Sequence, residues 1–186
     1  MDVIRLKTPL KNEDIRLLHA GDMVELSGTV FAARDQVHKR LCELIDLDKP
    51  LPVDLNGAVI YFVGPTPPRP GRVIGAAGPT TAARMDAFSP ELIAHGLKGM
   101  IGKGYRNQIV RDALARHQAV HFSALGGAGA LLSRHIVSNE VIAWEQLGPE
   151  ALRKLELRDF PLIVAYDAYG NSVYEPAGTI MDELLK

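Results

Sequence analysis

The period of the hydrophobic pattern changes repeatedly along the chain. From Asp22 to Ala33 (DMVELSGTVFAA) apolar and β-branched residues alternate, which predicts a strand with a turn or bulge at Ser27-Gly28. Val37, Leu41, Leu44 and Ile45 then recur at helical spacing and predict an amphipathic helix from about Asp35 to Leu47. Ahead of both, Val3 to Leu6 reads as a short strand, and Asn12 as the N-cap of a helix reaching about His19 with Gly21 beyond its end. After the Asn56-Gly57 turn, the apolar run AVIYFVG reads as a buried strand.

The second half continues the alternation. Helices are predicted over Thr80 to about Phe88, from Ser89-Pro90-Glu91 to Gly96, over Asn107 to Gln118, in GGAGALL, and from about Pro149 to Leu155. Strands are predicted in KGMIGKG, AVHFSAL, VIAWEQL, LEL and FPLIVAYD, and Tyr169-Gly170-Asn171 reads as a hairpin-like turn before SVYE. Strands and helices alternate, yet some strand neighbours are joined by short turns. The expected fold is therefore α/β with a mixed sheet. The segment PTPPRPGRVIGAAGP has a linker's composition, but no compositional shift follows it. It reads as a long ordered loop inside one domain covering residues 1–186.

Composition narrows the function classes. A net charge of −1 argues against a general nucleic-acid binder. The single Cys42 rules out an internal disulfide framework and a Cys-rich metal site, and it fits a helix interior as a buried thiol. The six histidines show no metal-ligand spacing. No apolar run approaches the ~20 residues that cross a bilayer, and MDVIRLKTPLKNEDIRLL lacks a signal-peptide pattern, so a cytoplasmic protein is expected.

Candidate chemistry gathers in three glycine-flanked places. In Gly75-Ala-Ala-Gly-Pro-Thr-Thr-Ala-Ala-Arg84-Met-Asp86, glycines allow close approach of a ligand. Thr80, Thr81 and the start of a helix offer donors, and Arg84 lies one turn after Thr80. A well-capped helix bearing a surface arginine would look the same. In Ala33-Arg34-Asp35-Gln36-Val37-His38-Lys39, Arg34 can bind a second carboxylate while Asp35 caps the helix; the plainer reading is a capped helix with a solvated Arg and His. Lys103 lies between Gly102 and Gly104, in a turn without the P-loop pattern. Gly126-Gly127-Ala128-Gly129 fails the dinucleotide spacing. Two arginines and one lysine thus suit a small dianion, but no metal site, general acid or nucleophile of the chain's own completes a reaction centre.

These same segments carry a resemblance. GDMVELSGTVFAARDQVHKRL, GAAGPTTAARMDAF and GMIGKG resemble the C-terminal domain or beta subunit of class I fumarases and L-tartrate dehydratases, and the likeness continues through HFSALGGAGALL and DFPLIVAYDAYGN. The GPTTxxRMD segment is the specific one; ARDxxHK and GKG support it. The resemblance implies a swivelling β/β/α domain. It also implies an alpha-subunit partner that binds a 4Fe-4S cluster through three cysteines and leaves one iron open to substrate. The single cysteine agrees with a cluster held elsewhere. On this likeness Arg34, Thr80, Thr81, Arg84 and Lys103 match positions that hold substrate carboxylates and hydroxyl. Thr80 matches the proposed general base, and Asp35 and His38 match supporting positions. Ala83 departs from the glycine common in relatives.

The implied protein is a hydro-lyase beta subunit, active in a hetero-oligomer with two alpha and two beta chains. It would interconvert fumarate and (S)-malate, a tricarboxylic acid cycle step, or dehydrate L-tartrate. A non-catalytic carboxylate-binding module is the competing reading.

Overall fold

A computed structural model describes residues 3–174. Strands β1 (Ile4–Lys7), β2 (Met23–Ala32), β3 (Val59–Tyr61), β4 (Gly99–Gly102), β5 (Val120–Ser123), β6 (Ile136–Ala143) and β7 (Leu152–Tyr166) form one sheet in the order β1-β2-β3-β4-β5-β7-β6. Strands β1 to β5 pair in parallel, and β7 runs antiparallel to β2, β5 and β6. Because β7 pairs with β5 on one edge and β2 on the other, β2-β3-β4-β5-β7 close into a ring. The α/β class and the mixed sheet are as expected.

Strand alternation explains the two cores. In β3, Val59 and Tyr61 face one cluster with Leu26, Val30, Phe122, Leu157, Phe160 and Val164, while Ile60 faces the other, with Leu41, Met85, Leu92, Met100 and Leu114. The second cluster is the seat of helices α2 (Asp35–Asp46), α3 (Ser89–Ala94) and α4 (Gln108–His117). A strand buried on both faces is apolar throughout, which is why AVIYFVG carries no period-2 signal. Two short helices, α1 (Asn12–Arg16) and α5 (Gly129–Leu132), complete the set.

Four local expectations need correction. LEL and FPLIVAYD are one strand, β7, and no α-helix covers Pro149 to Leu155; a 3-10 segment, Glu145–Glu150, precedes β7 and takes the second half of VIAWEQL, whose strand β6 stops at Ala143. Asp159 and Pro161 look like breakers in sequence. Asp159 is tolerated because its left-handed backbone (φ 45°) lies opposite the bulge between Leu26 and Gly28 (φ 105°), tied by the Asp159 N–H donating to Ser27 Oγ at 2.9 Å. Pro161 is tolerated because Val164 N–H donates to Asp22 across the β2 edge. The missing N–H of residue 161 therefore faces the other edge, in the gap between the end of β6 pairing at Leu157 and the start of β5 pairing at Ile163.

Second, Thr80 to Phe88 is not a regular helix. Thr80 lies outside any helix, Thr81 forms an isolated bridge, Ala82–Met85 is a 3-10 turn, and Asp86 to Phe88 is a further turn. Third, helix starts shift by one residue. Lys11 and Arg34 occupy the N-cap positions, so Asp35 lies in the first turn of α2 rather than capping it. Ser89 is inside α3 and donates to the Met85 carbonyl. Fourth, Cys42 is only part-buried, donating weakly to Phe88 O at 3.7 Å. Glu175 of SVYE lies outside the described residues.

Candidate functional site

The site residues follow the C-terminal ends of adjacent parallel strands. Arg34 comes just after β2, Gly64 after β3, Lys103 after β4 and Gly126 after β5. In parallel α/β sheets, open or closed, this is the end where ligands bind.

Arg34 is held from three sides. Its Nη1 bonds Glu150 Oε1 at 2.9 Å, and its Nε approaches Asp35 Oδ1 at 3.7 Å, too long for a hydrogen bond. Its side chain crosses Gly64, where an added Cβ would lie 3.3 Å from Arg34 Cδ and Nη1. Asp35 reaches the other way, with Oδ2 accepting from Arg84 Nη2 at 3.2 Å. One carboxylate therefore bridges two guanidiniums. Arg34 Nε and Asp35 Oδ1 are left buried without a hydrogen-bond partner among the described residues.

The threonines and lysine meet through the backbone. Thr80 N–H donates to the Phe62 carbonyl at 2.7 Å, and its own carbonyl accepts from Lys103 N–H at 3.2 Å; Ala82 N–H then donates to the Lys103 carbonyl at 2.8 Å. These bonds form a parallel bridge between Thr81 and Lys103. The structure thus brings Thr80, Thr81, Arg84 and Lys103 together by strand-like pairing, and the expected helix dipole is not what does so. Thr81, Arg84 and Lys103 are exposed, and Lys103 Nζ leans over Gly126, 3.9 Å from an added Cβ there. The two glycine loops meet directly: Ala77 N–H donates to Gly129 O at 3.0 Å, and a Cβ on Gly129 would lie 2.8 Å from Gly78 N.

His38 is fully buried. Both its Nδ1 and its backbone N–H lie 2.9 Å from the Arg34 carbonyl. A carbonyl only accepts, so Nδ1 carries the proton. Burial above all, with the Arg106 charge adding to it, lowers the ring pKa to about 4 against the raising effect of the Arg34 carbonyl bond and Asp35. His38 is therefore neutral near pH 7 and holds the backbone of Arg34; it offers the ligand no charge.

Sequence reasoning missed a buried knot beneath these residues. Arg106, 5% exposed, donates from Nε to Asp86 Oδ1 at 2.6 Å and from Nη2 to Ser89 Oγ at 2.6 Å, and its Nη1 reaches His121 Nδ1 at 3.2 Å. Its guanidinium lies 5.4 Å from the centre of the Phe62 ring. Asp86 also accepts from Asn107 N–H at 2.8 Å. The knot ties the Arg84-Met85-Asp86 turn to the loop after Lys103. The only sequence signals were a histidine inside an apolar strand and the Asp of RMD.

The family described as Fumarase C-terminus matches residues 1–177, nearly the whole chain. The chain belongs to this family. A putative class I fumarate hydratase of Geobacillus stearothermophilus is 35% identical over 178 residues, covering 93% of this chain and 34% of that protein. The anaerobic class I fumarate hydratase of Escherichia coli (strain K12) is 38% identical over 154 residues, covering 82% of this chain and 28% of that protein. The L(+)-tartrate dehydratase subunit beta of the same strain is 35% identical over 173 residues, covering 90% of this chain and 85% of that subunit. The chain thus spans about a third of the fumarate hydratases it matches and most of the tartrate dehydratase subunit. Both kinds of relative are hydro-lyases by name.

Among the described residues no group of three His, Cys, Asp or Glu is placed to hold a metal ion, and no helix is long and apolar enough to cross a membrane.

Proposed function

We propose that the chain is the beta subunit of an iron–sulfur hydro-lyase interconverting fumarate and (S)-malate, working with an alpha subunit. One observation supports this most: two guanidiniums share a single carboxylate, and the Thr80–Arg84 segment that carries one of them is backbone-paired to Lys103. This chain's own residues do not fit a 4Fe-4S cluster. Its one thiol, Cys42, has its pKa raised to about 11 by burial and then by Glu91, Asp46 and Glu43, and among the described residues it stands in no metal-binding group. The cluster in this reading belongs to the alpha subunit.

The chain's part is to hold substrate and move a proton. Arg34, Arg84 and Lys103 bind the two carboxylates, with Thr81 as a further donor. In the dehydration direction the Thr80 oxygen, as its alkoxide, takes the proton from the carbon beside one carboxylate. The electron pair left behind spreads onto that carboxylate as an aci-form, which the cations stabilise, and hydroxide then leaves the neighbouring carbon. Asp35 and Glu150 keep the arginines in place before substrate arrives, and neutral His38 fixes the Arg34 backbone.

The test is anaerobic co-expression with a cluster-bearing partner and assay on fumarate, malate and both tartrate enantiomers. Thr80→Val should lower kcat by about 100-fold or more with an unchanged melting curve; a near-normal rate removes Thr80 as the base. The second reading, L-tartrate dehydration, rests on the match across most of a tartrate dehydratase beta subunit. Turnover of tartrate in preference to malate would establish it.

A further inference from the structure

A second cationic concavity is lined by none of Arg34, Thr80, Thr81, Arg84 and Lys103. Its volume is about 350 Å³, and its walls include Thr66, Arg69, Arg72, Gly75, Ser133 and Arg134. None of the three arginines forms a hydrogen bond or ion pair through its side chain among the described residues. No Asp or Glu lines the cavity. The sequence extends this one-sidedness: no acidic residue occurs between Asp54 and Asp86, or between Asp112 and Glu140, the two stretches that supply the walls. In a chain with 22 acidic and 21 basic residues, that leaves three guanidiniums lining one cavity with no carboxylate among its walls.

The neutral wall is built as well. Thr66 Oγ1 accepts from Ala76 N–H at 2.8 Å, and Thr66 N–H donates to Ala76 O at 3.0 Å, so the hydroxyl proton of Thr66 stays available to a ligand. Gly75 is required there, because any Cβ would overlap the Thr66 carbonyl and hydroxyl oxygens.

We propose that this cavity binds a small phosphorylated polyanion, at a site separate from the Arg34–Arg84–Lys103 group. Three guanidinium forks match the bidentate geometry and multiple charge of linked phosphates. The volume exceeds what one phosphate fills, while Pro67, Ile74 and Ala130 supply apolar surface for an attached organic group.

The test titrates the full chain at low ionic strength with inorganic pyrophosphate and with ADP, by calorimetry. Both should bind, and the double variant Arg69→Ala with Arg134→Ala should weaken each by at least about tenfold. Arg84→Ala should bind them as the wild type does. These arginines are exposed, so thermal melts should coincide. ADP binding tighter than pyrophosphate marks a nucleotide as the source; equal affinity marks the phosphates alone. The proposal is overturned if neither probe binds, if the double variant binds as the wild type does, if Arg84→Ala abolishes binding, or if a poly-glutamate peptide binds and both phosphate probes do not. None of these outcomes depends on hydro-lyase activity.

Discussion

Two arginine–carboxylate groups lie within a few residues of each other and behave oppositely. Arg84 meets Asp35 with its side chain half in solvent, and Asp35 is shared with Arg34. Arg106 meets Asp86 in the core, with its side chain fully enclosed and donating to Asp86 Oδ1, Ser89 Oγ and His121 Nδ1. The first group is loosely satisfied and its charges can be transferred to a ligand. The second is saturated and has nothing left to give. An arginine beside an acid is thus no functional signal in itself; exposure and unfilled bonding decide which role it takes.

The sharpest way to break this contrast is Arg106→Ala. It would strand a buried Asp86 carboxylate and should cost about 3–5 kcal/mol in denaturant unfolding, because uncompensated buried charge is expensive. A loss below 1 kcal/mol would show that water replaces the guanidinium. Arg84→Ala should do the reverse: unfolding free energy within about 0.5 kcal/mol of wild type, but turnover of the assembled enzyme down by about 100-fold. Unchanged turnover on malate and tartrate would remove Arg84 from the site.

His38 links the two groups, packing edge-on against Phe62 at 5.2 Å while its Nδ1 holds the Arg34 carbonyl. Its folded pKa of about 4 lies below the ordinary 6.5, so between those values the unfolded chain binds a proton that the native chain does not. Its stabilisation is complete above pH 6.5 and is lost as pH falls toward 4, by about 3 kcal/mol. Burial and Arg106 push His121 well below its usual range, which adds in the same direction. Unfolding curves at stepped pH measure the loss, and His38→Gln should flatten part of it. The smallest effect belongs to Lys39→Ala. It breaks an exposed pair to Glu43 at 3.8 Å and should change stability by no more than about 0.5 kcal/mol, with activity intact.

How much of this was legible in sequence depended on the range of the interaction. Helices α2 and α4 were readable because Val37, Leu41 and Val110, Leu114 mark one face locally. Strand β7 was not readable as a single strand, because Asp159 and Pro161 are acceptable only through a bulge and an edge gap that other strands create. Arg34, Thr80, Thr81, Arg84 and Lys103 were singled out as candidates through resemblance and glycine spacing. Their assembly was not legible: Thr81 pairs with Lys103 across the fold, and Arg34 reaches Arg84 through Asp35. Phe62 was invisible as a hub, since its carbonyl anchors Thr80 while its ring carries Arg106 and lies beside both buried histidines.

The parallel run from β2 to β4 sets the spacing between the loops that carry Arg34 and Lys103. Adjacent strands are spaced about 4.8 Å apart, so the backbones that launch Arg34 and Lys103, with β3 between them, start roughly 10 Å from each other. The closed ring prevents that gauge from stretching by sliding one strand past its neighbour. The separation of the two launch points is thereby fixed by the hydrogen-bonded lattice itself, and altering it would require remaking the ring rather than retouching a loop.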